Sequence, residues 1–414
     1  MPSIRKSLLQ LLFSGSSMKR WNDKLRPMEL FEVDKQAHKM MVAWMLYETN
    51  ARGLPLDERL ALGEAVVEGG LFEYLYRLVI TDIKPPVFYK IKANPDHYRR
   101  LTAWVMDQLT PRIQVLGETF TRRFREHLAV PDRRDPASRI LHAAHIYASR
   151  YEFHLIKHLN PWDEELDEIE EDFTATLTAH SDIKGVPELL TEGHPFERFA
   201  SLCGRLRFQT RWSQTPRIPE TTVLGHLFIV AACAYLFSLE LNACRARRVN
   251  NFFSGLFHDL PELLTRDIIS PVKRSVEGIS DLIAQYEHDA LERRVFSLLR
   301  QAGAPDLAER LAYFLGIEFG SEFETVVRKK DGKVLRTDWR ALAESYNHDE
   351  FDAKDGGLLK ICDNLAAFLE AYTALRNGIT SDQLQHALWR IQGAYAQEPF
   401  QHGVHIGSLL ADFD

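Results

Sequence analysis

Two stretches of this chain, GLFHDLPELLTRDIISPV at residues 255–272 and GLFEYLYRLVITDIKPPV at residues 70–87, can be laid on each other without a gap. They share the opening Gly-Leu-Phe, then Leu75 with Leu260, Leu78 with Leu263, Asp82-Ile83 with Asp267-Ile268, and Pro86-Val87 with Pro271-Val272. Self-similarity is read before anything else, because it decides how many units a chain holds. Working outward, Arg20-Trp21 precedes His38 in the first half and Arg211-Trp212 precedes His226 in the second. Each histidine leads into an apolar run with helical spacing. Downstream, LHAAHIYASRYE from Leu141 can be laid on LKICDNLAAFLE from Leu359, which sets His145 opposite Asp363 and Glu152 opposite Glu370. The chain reads as a tandem duplication, with one unit at 1–190 and the other at 191–414. The junction falls near 185–195, where Gly, Pro and His interrupt the helical pattern.

The length, 414 residues, suggests two or three domains of ordinary size, and the duplication settles the reading on two. Hydrophobic residues make 45% of the chain and charged residues 26%, values of a folded globular protein. The net charge is −7 and the Lys and Arg residues are scattered, so a binder of nucleic-acid backbones is disfavoured. Apolar residues recur at intervals of three and four through 101–109, 224–241, 281–299, 307–319, 358–375 and 381–395, which predicts an all-α protein, a tandem pair of helical domains. The exception is 324–337, where Asp331-Gly332 sits between β-branched runs and predicts a hairpin inserted in the second unit. A lid and a plain surface loop are both consistent with it.

The four cysteines, Cys203, Cys233, Cys244 and Cys362, have no C-x-x-C spacing and lie in helical segments, so reduced, buried thiols are expected. The apolar run 8–13 is too short for a signal peptide, and the best membrane candidate, 223–239, falls short and carries His226 and Ser238. A soluble, cytoplasmic protein with no membrane partner is expected.

The densest chemical signal is His258-Asp259, followed by Glu262 and Asp267. Imidazole and carboxylate together suit a first-row divalent metal. Adjacent helical residues point about 100° apart, so both can converge on an ion beside their helix, while His226 and Asp363 have to come from other helices. Two His and two Asp leave positions open for water and phosphate. A lone His on an apolar helix is more often a satisfied core residue than a ligand; the His-Asp pair and the late Asp363 shift that balance towards ligation. Arg211-Trp212 competes with the reading of a packing pair, Glu262 with a helix surface, and Asp267 with a cap. His288-Asp289 has no matching partners and reads as solvated helix.

The pattern His226, His258-Asp259, Asp363 resembles that of the HD-domain metal-dependent phosphohydrolases, and the order Arg-Trp, His, then HDLPELLTRDIISPVK is closest to the bacterial 5'-deoxyribonucleotidase branch. The resemblance covers 197–378 and is most specific over 257–273. It implies one divalent metal ion (Mn, Co, Mg, Zn or Fe) on His226, His258, Asp259 and Asp363. It also implies substrate contacts from Arg211, Trp212, Glu262 and Asp267, with Glu262 and Arg211 taking part in catalysis. The expected substrate is a small nucleotide or other phosphoester, the reaction hydrolysis of the phosphomonoester of a deoxyribonucleoside 5'-monophosphate. An HD phosphodiesterase, a triphosphate phosphohydrolase and a nucleotide-binding regulator without turnover are the alternatives. Asp267 is the expected gate against a 2'-hydroxyl. The sequence departs from that branch at Arg266, where its relatives carry Gly, and in the insertion at 324–337.

In the first unit the matching positions are read as His38, Glu73-Tyr74 and His145. A Tyr for the Asp and a Glu for the His remove the pair, so a metal-free pseudo-domain is expected. It would cover the apolar face of the catalytic unit as an intrachain pseudo-dimer. A homo-oligomer stays open.

Overall fold

The computed structural model of the chain describes residues 4–266 and 278–413. Helices dominate it, as the periodicity predicts, with two small two-stranded sheets beside them. Those that build the interior are α1 (Lys6–Ser14), α2 (Glu32–Asn50), α3 (Leu56–Ile80), α4 (Pro136–Ile156), α5 (Val223–Glu240), α6 (Arg245–Phe257) and α7 (Gly356–Arg376). Their starts are written in the sequence. Asp135, Thr222 and Asp355 cap α4, α5 and α7 by accepting from the backbone N–H groups of Ser138, Gly225 and Leu358. Pro136 then occupies the first position of α4, where a missing N–H costs nothing.

α2 and α5 lie at the centre and are buried along nearly their whole length. By length and composition α5 is apolar enough to cross a membrane, contrary to the expectation above, but it is wrapped by other helices of the same chain. Residues from both halves share one hydrophobic core. Trp44 of α2 meets Phe257 of α6 edge-on at 4.8 Å between ring centres, and Tyr74 of α3 meets Phe228 of α5 at 4.7 Å. Gly255 lets α6 approach α5 closely: a Cβ there would stand 2.9 Å from the Ala231 Cα.

The predicted hairpin is present. Strands β1 (Val326–Arg328) and β2 (Val334–Arg336) pair antiparallel, with Val327 opposite Leu335. Gly332 in the turn has φ 84°, a conformation natural to glycine. A second hairpin, β3 (Phe400–Gln401) with β4 (Val404–His405), had no signal in the sequence reading. The segment 185–195 contains Gly185 at φ 100° and the short helix Val186–Leu190.

Several local geometries occur twice. Lys19 bridges Phe31 just before α2, and Thr210 bridges Thr222 just before α5. Trp21 and Trp212 both have φ 55°. Thr81 and Arg266, which occupy the same place in the two aligned stretches, have φ 59° and 65°. The bridges and the helix starts pair Phe31 with Thr222, and therefore Lys35 with His226, not His38 with His226 as the sequence comparison suggested. His38 points elsewhere. Its Nε2 meets the Ala200 carbonyl at 2.8 Å, its ring packs edge-on against Tyr147 and Tyr151, and burial with the Arg207 charge pushes its pKa down to about 3.

Candidate metal centre

His226 sits in the first turn of α5, one turn past the Thr222 cap, and His258-Asp259 directly follows α6. Asp363 lies two turns into α7. Three elements thus bring four side chains together: one atom each of His226, His258 and Asp259 lies within 4.8 Å of the others, and Asp363 borders them through the two histidines. The His226 Nε2 is 3.1 Å from Asp363 Oδ1 and 3.8 Å from Asp259 Oδ2. The His258 Nε2 is 3.2 Å from Asp259 Oδ2 and 4.0 Å from Asp363 Oδ1. Both imidazoles are buried, and the carboxylates are slightly open to solvent.

The far side of each ring fixes its orientation. His258 Nδ1 lies 2.8 Å from the Gly255 carbonyl, an acceptor, so Nδ1 keeps a proton, and in the neutral ring the Nε2 lone pair faces the cluster. His226 Nδ1 is 3.4 Å from Glu370 Oε1. A carbonyl or carboxylate behind a ligating histidine is the usual outer shell of a metal site. The His258 Nε2 is buried and makes no well-aligned hydrogen bond, Asp259 Oδ2 standing 3.2 Å away, and in the neutral ring it is an acceptor that a cation would satisfy. Two imidazole nitrogens and two carboxylate oxygens form a donor set for a first-row divalent ion. The residues present fit such an ion.

The electrostatics agree. Burial alone would raise the Asp259 carboxyl, but His258, His226 and Arg211 hold it down to about 2. Asp363 is held well below its ordinary value by His226 and Lys360 against the same burial. Burial would lower His258, yet Asp259 and Asp363 push it up to about 9. The site draws positive charge, and a proton and a cation compete for it.

Arg211 and Trp212 stand at its edge. The Arg211 Nε is 3.3 Å from Glu370 Oε1, and its NH1 is 3.4 Å from Asp259 Oδ2. The Trp212 indole N–H donates to Glu370 Oε2 at 2.8 Å, and Thr221 Oγ donates to Glu370 Oε1 at 3.0 Å. Arg217 donates to the Arg211 carbonyl at 2.7 Å and lies over the Trp212 ring. Glu262 is half-buried on the turn after the pair, and its charge is among those that raise the Arg211 pKa. Asp267 lies outside the described residues.

Glu370 is the residue that sequence reasoning aligned but gave no role. It is buried, its carboxyl held well below the ordinary range by Arg211, His226 and Arg217 although burial opposes this. Its signal was its spacing, seven residues after Asp363 and so on the same face of α7. Three more residues border the site without having been singled out. Phe323 packs 5.9 Å from the His258 ring, Lys360 donates to Asp363 Oδ2 at 2.8 Å, and the Glu322 carboxyl is pushed up by burial and by Asp259. At Arg266 φ is 65°, a conformation that favours glycine, and nothing in the structure explains the arginine that holds it here.

Comparison with known proteins agrees with this geometry over the second half. No curated protein and no solved structure matches the chain significantly. Residues 203–392 match the family model described as HD domain, a span that contains His226, His258, Asp259 and Asp363. This match supports placing the segment in the HD-domain superfamily and, with it, metal-dependent phosphohydrolase chemistry in general.

Proposed function

We propose that the chain is a metal-dependent phosphohydrolase that removes the phosphate from nucleoside 5'-monophosphates, with preference for the deoxyribose series. The observation that carries the reading is the convergence of the four ligand atoms beside an Arg-Trp pair anchored on one buried carboxylate. A bound divalent ion supplies Lewis acidity, acidifying a water and drawing charge from a phosphoryl oxygen.

The side chains supply the rest. Glu370 holds the Arg211 guanidinium at the rim, where its planar donors suit the oxygens of a phosphoryl group as their charge grows. Trp212 offers an aromatic face to sugar or base, its indole N–H engaged by Glu370. Glu262, one turn past Asp259, takes or returns the proton of the attacking water. Asp267 discriminates the sugar by accepting from the 3'-hydroxyl and crowding a 2'-hydroxyl, a role that rests on resemblance.

We also propose that the two halves, 1–190 and 191–414, are copies of one unit fused into a pseudo-dimer. The doubled bridges, the doubled positive-φ residues and the shared core support this.

The test is phosphate release from ribo- and deoxyribonucleoside 5'-monophosphates by metal-stripped protein resupplied with Mn, Co, Mg, Zn or Fe. Metal-dependent release that favours deoxy substrates supports the proposal. Turnover of cyclic nucleotides or triphosphates alone would move the substrate to another phosphoester, and binding without turnover would make the protein a nucleotide-responsive regulator.

A further inference from the structure

The first half contains a second cluster at the position that matches the metal centre. Lys35 takes the place of His226, Glu73 that of His258, Tyr74 that of Asp259, and His145 that of Asp363. The Lys35 Nζ is 2.6 Å from His145 Nδ1 and 3.7 Å from Glu32 Oε1. One turn further along α2, the Lys39 ammonium is bonded to Glu73, whose other oxygen is 3.7 Å from His127 Nε2. Both lysines are buried, while Glu73 and His145 are half-open and His142 is exposed, so the cluster reaches solvent on one side. With both lysines protonated, the two ammonium groups bring the two positive charges that a divalent ion would bring. They cannot activate water as an ion does.

The neighbouring recognition residues are retained. Arg20 Nε donates to Glu152 Oε2 at 2.7 Å and the Trp21 indole N–H donates to the same oxygen at 3.0 Å, matching Arg211 and Trp212 on Glu370. Asp82, the counterpart of Asp267, accepts from Asn22 at 2.9 Å and is paired with Arg77. The charges that face one another are Glu32, Glu73, Glu152 and Asp82 against Arg20, Arg77, Lys35, Lys39 and Arg207, whose NH1 lies 2.9 Å from Glu152 Oε1, so the bases outnumber the acids when Lys35 is protonated. The lysines have no carboxylate in the place of Asp259, where Tyr74 turns away to bond the Leu12 carbonyl.

We infer that this first-half cluster is a metal-independent binding site for the phosphoryl group of a nucleotide, with Lys35 and Lys39 as the phosphate donors and Arg20-Trp21 as the platform. It binds without turnover. The inference rests on the proposed function for its ligand class. Buried ammonium groups without full compensation are costly, and burial, ahead of the Arg20 and Lys39 charges, brings Lys35 down to about 7. A phosphate dianion supplies the missing negative charge through charge-assisted hydrogen bonds.

The experiment uses the full chain, stripped with EDTA and carrying Asp259→Ala so that the metal centre is disabled. Calorimetric titration with inorganic phosphate and with a deoxyribonucleoside 5'-monophosphate is expected to give one site per chain. Lys39→Met should weaken it by about tenfold or more, while Arg211→Lys should leave it in place. No saturable binding, or binding lost on Arg211→Lys and kept on Lys39→Met, would overturn the inference. Because Lys39→Met risks the fold, the imidazole resonances of His145 and His127 are followed in the chain without that change. Shifts on adding either probe support the site, and unmoved resonances overturn it. Turnover by the wild-type chain, measured separately, reports on the proposed function alone.

Discussion

The indole N–H of Trp212 ends on Glu370 Oε2 at 2.8 Å, and the same carboxylate lies behind His226 at 3.4 Å from its Nδ1. One buried side chain therefore orients both a substrate platform and a candidate ligand. Glu370→Gln keeps the volume and removes the charge. We expect metal affinity and kcat/KM each to fall by roughly 10- to 100-fold, the range for loss of an outer-shell partner. Metal content after dialysis, measured beside the kinetics, checks it; an unchanged metal content would confine Glu370 to holding the Arg-Trp pair.

The two halves should respond oppositely to removal of equivalent residues. Asp259→Ala is expected to abolish metal retention and turnover. Tyr74→Phe loses only the bond to the Leu12 carbonyl and should cost about 1 kcal/mol of stability with activity intact. Equal residual activity in the two variants would remove the assignment of chemistry to the second half.

Asp34 predicts a pH dependence of stability. Burial, opposed by Arg207 and the Thr222 hydroxyl, pushes its carboxyl up to about 7. One oxygen accepts from Thr222 at 2.7 Å, while the other has no partner among the described residues. Below the ordinary value of 3.8 the group is protonated in both the folded and unfolded chain and costs nothing. Between there and pH 7 the unfolded chain releases the proton and the folded one keeps it, so the cost grows with pH and levels off above 7. Asp34→Asn should accordingly stabilise by a few kcal/mol at pH 8 and by nothing near pH 3. Urea unfolding at the two pH values measures it, and a pH-independent difference would sink the argument.

Gly255→Ala tests the approach of α6 to α5. The added methyl meets backbone at 2.9 Å, so the helices must part, with an expected cost of about 1 to 3 kcal/mol. His258 Nδ1 rests on the Gly255 carbonyl, so metal affinity should fall with stability. A variant that melts lower but keeps its metal would separate the two.

A fragment of residues 191–414 would expose Phe228, Phe253 and Phe257, which pack on Tyr74, Tyr47 and Trp44 of the first half. It should aggregate or self-associate. A monomeric, fully active fragment, seen by light scattering and assay, would end the pseudo-dimer proposal.

The helical pattern, the inserted hairpin and the convergence of His226, His258, Asp259 and Asp363 were all legible in the sequence, because periodicity, turn chemistry and an adjacent His-Asp pair are local signals. The match for His226 in the first half was misread because a histidine three residues away attracted the comparison. Register is set by where the helix starts, and Phe31 gives no side-chain cap to mark that start, whereas Thr222 does. Glu370 gave little sign of its role because a carboxylate on an apolar helix reads as solvent-facing until the arginine and indole that pay for its burial are placed. Both come from a loop about 160 residues away.

Lys35 and Lys39 carry their ammonium groups on the chain itself, and a bound anion would hold the proton on Lys35. If the first-half site is metal-independent as inferred, a cell short of divalent ions, or a chelator in the tube, would take nothing from that half. The shared core around α2 and α5 would then be held from one side, giving the second half an assembled framework on which to take up an ion.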